Sequence, residues 1–114
     1  MNDLEENDEF KFACNLSDLK ESIGKRIYIN DVDIALFKVN GKIFAVSNIC
    51  PHQHTSQIYE GFIVSDCVVC PLHGWMFKLE NGNLAGGSKG LDIYETKIID
   101  DKVYIKVFAK QLNW

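Results

Sequence analysis

Cys50–Trp75 reads CPHQHTSQIYEGFIVSDCVVCPLHGW. This stretch holds three of the chain's four cysteines and all three of its histidines. Each end repeats one figure: a cysteine, a proline, then a histidine. Cys50 and His52 are two apart, so on an extended backbone they point to the same side, roughly 7 Å apart at Cα. Cys70 and His73 are three apart, a spacing that suits a tight turn. The segment between His52 and Cys70 has room for a strand, a turn at Ser65-Asp66 and a returning strand. Two loops can therefore meet at one end of a hairpin, each offering a thiolate and an imidazole.

The rest of the chain frames that figure. Its 114 residues suffice for one domain with a single core and fall short of two. Apolar residues make up 46% and charged residues 25%, ordinary for a globular protein. No apolar run is long enough to span a bilayer. The opening MNDLEENDEF lacks the cationic start and apolar stretch of a secretory signal, so a cytoplasmic protein is expected. The formal charge is −4, yet Asp3, Glu5, Glu6, Asp8 and Glu9 supply five of the 16 acids. The remaining 11 acids nearly balance the 12 bases, leaving no basic patch for nucleic acid. Residues 1–9 are read as an acidic, flexible terminus and 10–114 as the domain. Four cysteines could form two disulfides, but that framework belongs to secreted proteins with small cores, so metal binding is the better starting point.

The texture is all-β. Short stretches rich in Ile, Val, Phe and Tyr alternate with turn residues. Strands are predicted at Phe10–Cys14, Lys25–Ile29, Ile34–Val39, Lys42–Ser47, Phe62–Val64, Cys67–Val69, Trp75–Leu79, Ile93–Ile99 and Val103–Val107. Asn40-Gly41 reads as a tight primed hairpin turn, because both residues tolerate positive φ. Asn81-Gly82 reads the same way, and Asp100-Asp101 closes a last hairpin. In KVYIKVF, Val103, Ile105 and Val107 face one way and Tyr104 and Lys106 the other. LSDLKESIG is the one helical hint, with Ser17 as cap and Gly24 as stop. Asn83–Gly90 is read as a flexible loop.

Two thiolates and two imidazoles can bind zinc, but a common zinc finger takes two cysteines from one turn and two histidines from a helix. Here each loop carries one of each. That order suits a binuclear centre, with each loop giving its cysteine to one iron and its histidine to the other.

The pattern Cys-x-His, then Cys-x-x-His, in CPH and CPLHGWMF resembles that of Rieske [2Fe–2S] proteins. The segment from LENG to KVYIKV resembles the tail of small Rieske ferredoxins. The resemblance implies an antiparallel β-sandwich or partial barrel, with a small cluster-binding subdomain at about residues 48–77 made of two loops. It implies that Cys50 and Cys70 hold the inner iron and His52 and His73 the outer iron of one Rieske-type [2Fe–2S] cluster. Respiratory relatives brace the loops with a disulfide; the corresponding residues here are Thr55 and Leu72. Those relatives also place a serine two residues after the second histidine, where this chain has Trp75. Hydroxyl donors to sulfur raise the potential, so the low end of the Rieske range of about −150 to +300 mV is expected. Pro51 and Pro71 stiffen the loops, Gly74 avoids crowding, and Trp75 and Phe77 pack beneath the cluster. His54 is read as a solvent-facing loop residue, and Cys14 and Cys67 as buried small hydrophobes.

The implied function is a monomeric one-electron carrier, not itself an enzyme. It passes electrons from a flavin-dependent reductase to a terminal oxygenase of the ring-hydroxylating dioxygenase type. The alternatives are a small Rieske-like subunit of assimilatory nitrite reductase and a zinc-stabilised binding module.

Overall fold

The computed structural model describes residues 10–50, 56–71, 74–84 and 90–107. The reading of residues 1–9 as an acidic terminus lies outside them. Nine strands form among the described residues: β1 Phe10–Asn15, β2 Lys25–Ile29, β3 Val32–Val39, β4 Lys42–Ser47, β5 Phe62–Val64, β6 Cys67–Val69, β7 Met76–Lys78, β8 Ile93–Ile99 and β9 Lys102–Lys106. Each falls on a predicted segment. A six-stranded antiparallel sheet has the order β1-β9-β8-β4-β3-β2, and a three-stranded sheet has the order β5-β6-β7. Contacts between the end strands β1 and β2 bend the large sheet into a nearly closed barrel. None of the described helices is long and apolar enough to cross a membrane.

Four hairpins turn on two residues that both have positive φ: Asn30-Asp31, Asn40-Gly41, Ser65-Asp66 and Asp100-Asp101. That geometry matches the twist of the paired strands. Asn30-Asp31 lets β3 begin at Val32, two residues before the predicted start. Asn81-Gly82 departs from expectation. Only Gly82 is left-handed there. Its N–H donates to the Lys78 carbonyl (2.7 Å) and the Lys78 N–H donates to Asn83 (2.8 Å), closing a wider loop. Gly82 is also fixed sterically, because an added Cβ would lie 2.0 Å from the Leu91 carbonyl oxygen. Within the predicted loop at 83–90, Leu84 bridges Phe77; residues 85–89 lie outside the described residues.

LSDLKESIG forms no α-helix. A single 3₁₀ turn covers Leu16–Asp18, and the Asp18 carboxylate accepts from the Asn15 N–H, so the capping contact is not at Ser17. Leu19 then plugs the barrel core, and Glu21 pairs with Lys38 in a parallel bridge. Tertiary packing holds the chain extended where propensity alone allows a helical turn.

The core divides along β3. Ile34 and Leu36 face the barrel interior with Cys14, Ile27, Ala45, Val103 and Ile105. Ala35, Phe37 and Val39 face the other way, toward Val46, Ile58, Val68 and Phe77. Residues 33–37 are all buried. Burial on both faces explains why this strand reads as a nearly continuous apolar run rather than an alternation. Val103 and Ile105 point inward as predicted, and Tyr104 meets Phe12 edge-on at 5.9 Å.

Candidate metal centre

The second cysteine-histidine motif is the loop of the β6–β7 hairpin. Val69 pairs with Met76 as the last pair of that ladder. Beyond it, the Cys70 N–H donates to the Trp75 carbonyl (2.8 Å), and the Gly74 N–H donates to the Cys70 carbonyl (2.9 Å). The loop thus returns on itself at once. Gly74 has φ +73°, yet a Cβ built on it meets nothing within 4 Å among the described residues. The left-handed backbone by itself favours glycine at this position; the expected crowding by the loop involves Leu72 and His73, which lie outside the described residues. Trp75 packs against the core at 6.4 Å from Phe77, and Phe77 is fully buried.

The first motif lies on the segment that leaves β4. Val46, Asn48 and Cys50 are all buried and continue the alternation of that strand. Asn48 is a polar residue in that apolar series, and every polar atom of its amide is used. Its Nδ2 donates to Asp33 Oδ1 (3.1 Å) and to the Ser56 carbonyl (3.1 Å). Its Oδ1 accepts from the Tyr59 N–H (2.7 Å). Its backbone N–H donates to the Asp33 carbonyl (3.0 Å), and its carbonyl accepts from the Ile58 N–H (3.2 Å). Removing such an amide leaves buried partners unpaired, at about 1–3 kcal/mol each.

Asp33 sits on β3 on the same face as Ala35 and Phe37. Arg26 reaches it with two bonds, Nε to Oδ1 (3.1 Å) and Nη2 to Oδ2 (2.9 Å). Burial alone would push the Asp33 carboxyl up. Hydrogen bonds to Arg26, Asn48 and Ser56 outweigh that and hold it below the usual carboxylate range. The same contact raises Arg26 above its ordinary value. The Arg26 guanidinium also lies 4.8 Å from the Tyr28 ring and 5.9 Å from the Tyr59 ring, and donates to the Tyr28 hydroxyl.

Cys50 and Cys70 are both buried, 1% and 0% exposed, in one core cluster with Ile58, Val68 and Phe77. They come from two separate loops, as the sequence requires. His52 and His73 lie outside the described residues, as do Pro51, His54, Thr55 and Leu72. Cys14 is buried in the barrel core, away from this group, and burial raises its thiol pKa. Cys67, expected to be buried, is only half-buried and faces away from Val68 on β6. The four cysteines form no disulfide. Two buried thiols on separate loops fit the sulfur-ligated half of a binuclear iron centre and do not fit a finger-type zinc site. The sequence reading missed Asn48, Asp33 and Arg26. The available signal was a polar residue continuing an apolar face, at Asp33 on β3 and at Asn48 beyond β4.

Comparison with known proteins fits this geometry. The chain belongs to the Rieske [2Fe–2S] domain family, which matches residues 9–94. Its cofactor is accordingly one Rieske-type [2Fe–2S] cluster. The 3-phenylpropionate/cinnamic acid dioxygenase ferredoxin subunit of Photorhabdus laumondii is 32% identical over 88% of this chain and 96% of its own length. Among solved structures, a protein described as an NADH-dependent nitrite reductase small subunit from Mycobacterium tuberculosis superposes with a TM-score of 0.82. It is 19% identical, over 89% of this chain and 96% of that one. A chain from the complex of reduced oxygenase and oxidized ferredoxin in carbazole 1,9a-dioxygenase gives 0.74 at 24% identity, over 82% and 98%. At these identities the two structures establish the fold alone.

Proposed function

We propose that this chain is a one-electron carrier, not itself catalytic, in which Cys50 and Cys70 hold the inner iron and His52 and His73 the outer iron. It works as a monomer between a flavin-dependent reductase and a terminal oxygenase of the ring-hydroxylating dioxygenase type. One observation carries this reading: the two cysteines of the paired motif are buried together at the ends of separate loops. The ferredoxin role of the Photorhabdus relative, similar over almost its full length, supports the choice of partners.

The bound cluster supplies a single reversible electron. The chain supplies the rest. Cys50 and Cys70 bring thiolate charge into an apolar surround that keeps water from the sulfur side. Phe77, Ile58 and Val68 fill the space beneath. Trp75 stands two residues after His73, in the place of a hydroxyl donor, so the potential falls toward the low end of the Rieske range. The stiff loop closed by Cys70 and Trp75 limits rearrangement as charge changes.

Rapid mixing with reduced partners tests the role. The oxidised protein should be bleached by a flavin-dependent reductase and recoloured by a ring-hydroxylating oxygenase. Exchange with a sirohaem nitrite reductase instead would move it to the alternative role, and a colourless, zinc-containing preparation would leave only a binding module.

A further inference from the structure

The first ligand motif follows β4, and the described residues on its two sides are Asn48–Cys50 and Ser56–Glu60. The segment runs from the end of β4 at Ser47 to the 3₁₀ turn Ile58–Glu60. Both ends are fastened to one residue that is not a metal ligand. We propose that Asn48, anchored through Asp33 to Arg26, is a positioning residue that clasps this loop to strand β3 and so sets the ligand geometry offered by Cys50 and His52. The proposal rests on the electron-carrier reading above.

Three features support it. The Asn48 side chain bridges the departing and returning ends of the loop, since Nδ2 binds Ser56 and Oδ1 binds Tyr59. Its backbone makes two more such bonds, one to Asp33 and one from Ile58. The carboxylate that orients the amide is itself fixed by the paired bonds from Arg26. Tyr28 and Tyr59 flank that guanidinium. The line therefore runs from β2 through β3 to both loop ends. It is fully buried at Asn48 and half-exposed at Arg26. Groups hydrogen-bonded directly to metal ligands typically change metal affinity by about 10–100-fold when removed; Asn48 acts one step further back, through the two ends of the segment that carries Cys50 and His52. The glycines on this side fit a tightly held loop. A Cβ on Gly24 would lie 2.2 Å from the Tyr59 carbonyl oxygen, so the backbone at Gly24 and the 3₁₀ turn Ile58–Glu60 pack in close approach.

The test compares iron release to a chelator, and the spectrum of the reduced protein, in full-length holoprotein. Asn48→Asp keeps the shape, removes both N–H donors and sets a carboxylate against Asp33. Asn48→Ser replaces the two amide donors with one shorter hydroxyl, without adding charge. Both should release iron about 10–100-fold faster, with broadened or shifted g-values. The swap Asn48→Asp with Asp33→Asn restores one amide–carboxylate contact in reverse and should recover part of the loss. Thr96→Val, which removes a barrel hydrogen bond to the Ile43 carbonyl (3.4 Å), serves as the control and should change neither readout. Wild-type release and spectrum in Asn48→Ser would overturn the inference. So would equal acceleration in Thr96→Val, which would reduce Asn48 to general stability. A wild-type protein without iron or acid-labile sulfide would instead overturn the carrier reading beneath it.

Discussion

The two faces of β3 support different kinds of structure. On one side, the barrel core is built from long strands joined by two-residue turns, with Ile34, Leu36, Val103 and Ile105 in register. On the other, three-residue strands, the 3₁₀ turn Ile58–Glu60 and loops surround Cys50 and Cys70. The barrel rests on local pattern: alternation places side chains, and paired positive-φ residues set each turn. The metal side rests on contacts between distant residues, such as Asn48 with Asp33 and Tyr59, and on backbone that only glycine can approach. A scaffold that folds from local signals can carry a site that depends on a few polar fastenings and on its metal.

That contrast can be broken most severely at the ligands. Cys70→Ser should abolish the visible spectrum and loosen the β5–β7 sheet, because metal binding couples to folding. Cys14→Ser, in the barrel, should leave the spectrum intact. An unchanged spectrum in Cys70→Ser would reject the assignment. Core truncation comes next. Phe77→Ala and Ile105→Ala should each destabilise the protein, by about 3–5 and 2–5 kcal/mol. The first should also speed cluster loss, whereas the second should lower the unfolding temperature with the spectrum retained. Equal cluster loss in both variants would merge the two cores into one cooperative unit. Acid gives the smallest effect. Because Asp33 is held below the usual carboxylate range, its contribution is fully present above the unfolded value of about 3.9 and is lost as pH falls through the folded one. Asp33→Asn should flatten that part of an acid titration followed by circular dichroism. A titration identical to wild type would remove Asp33 from the fastening.

The barrel was legible in the sequence for the reasons that make it stable. Val103, Ile105 and Asn40-Gly41 carry their structure within a few residues. Asn30-Asp31 escaped notice because β3 was expected to start only at Ile34, which hid the two-residue spacing between the strands, although both residues adopt positive φ. Asn81-Gly82 misled because Gly82 serves a close approach to Leu91 rather than a two-residue turn. At the proposed site, the spacing of Cys50, His52, Cys70 and His73 stands out in the sequence, since ligand chemistry would constrain residue type and interval together. The Asn48 clasp does not, because its partners lie 15 and 11 residues away in sequence and nothing local shows that they meet. The helical reading of LSDLKESIG failed for the same reason: Leu19 and Glu21 answer to the barrel, not to their neighbours.

Electron paramagnetic resonance of the chemically reduced protein tests the central claim most directly, namely that two loops grip one binuclear cluster with sulfur on one iron and nitrogen on the other. Mixed ligation predicts a rhombic signal with an average g-value below that of all-cysteine [2Fe–2S] proteins. A signal of the all-cysteine type, or an intact native preparation that gives no iron signal on reduction, would contradict it.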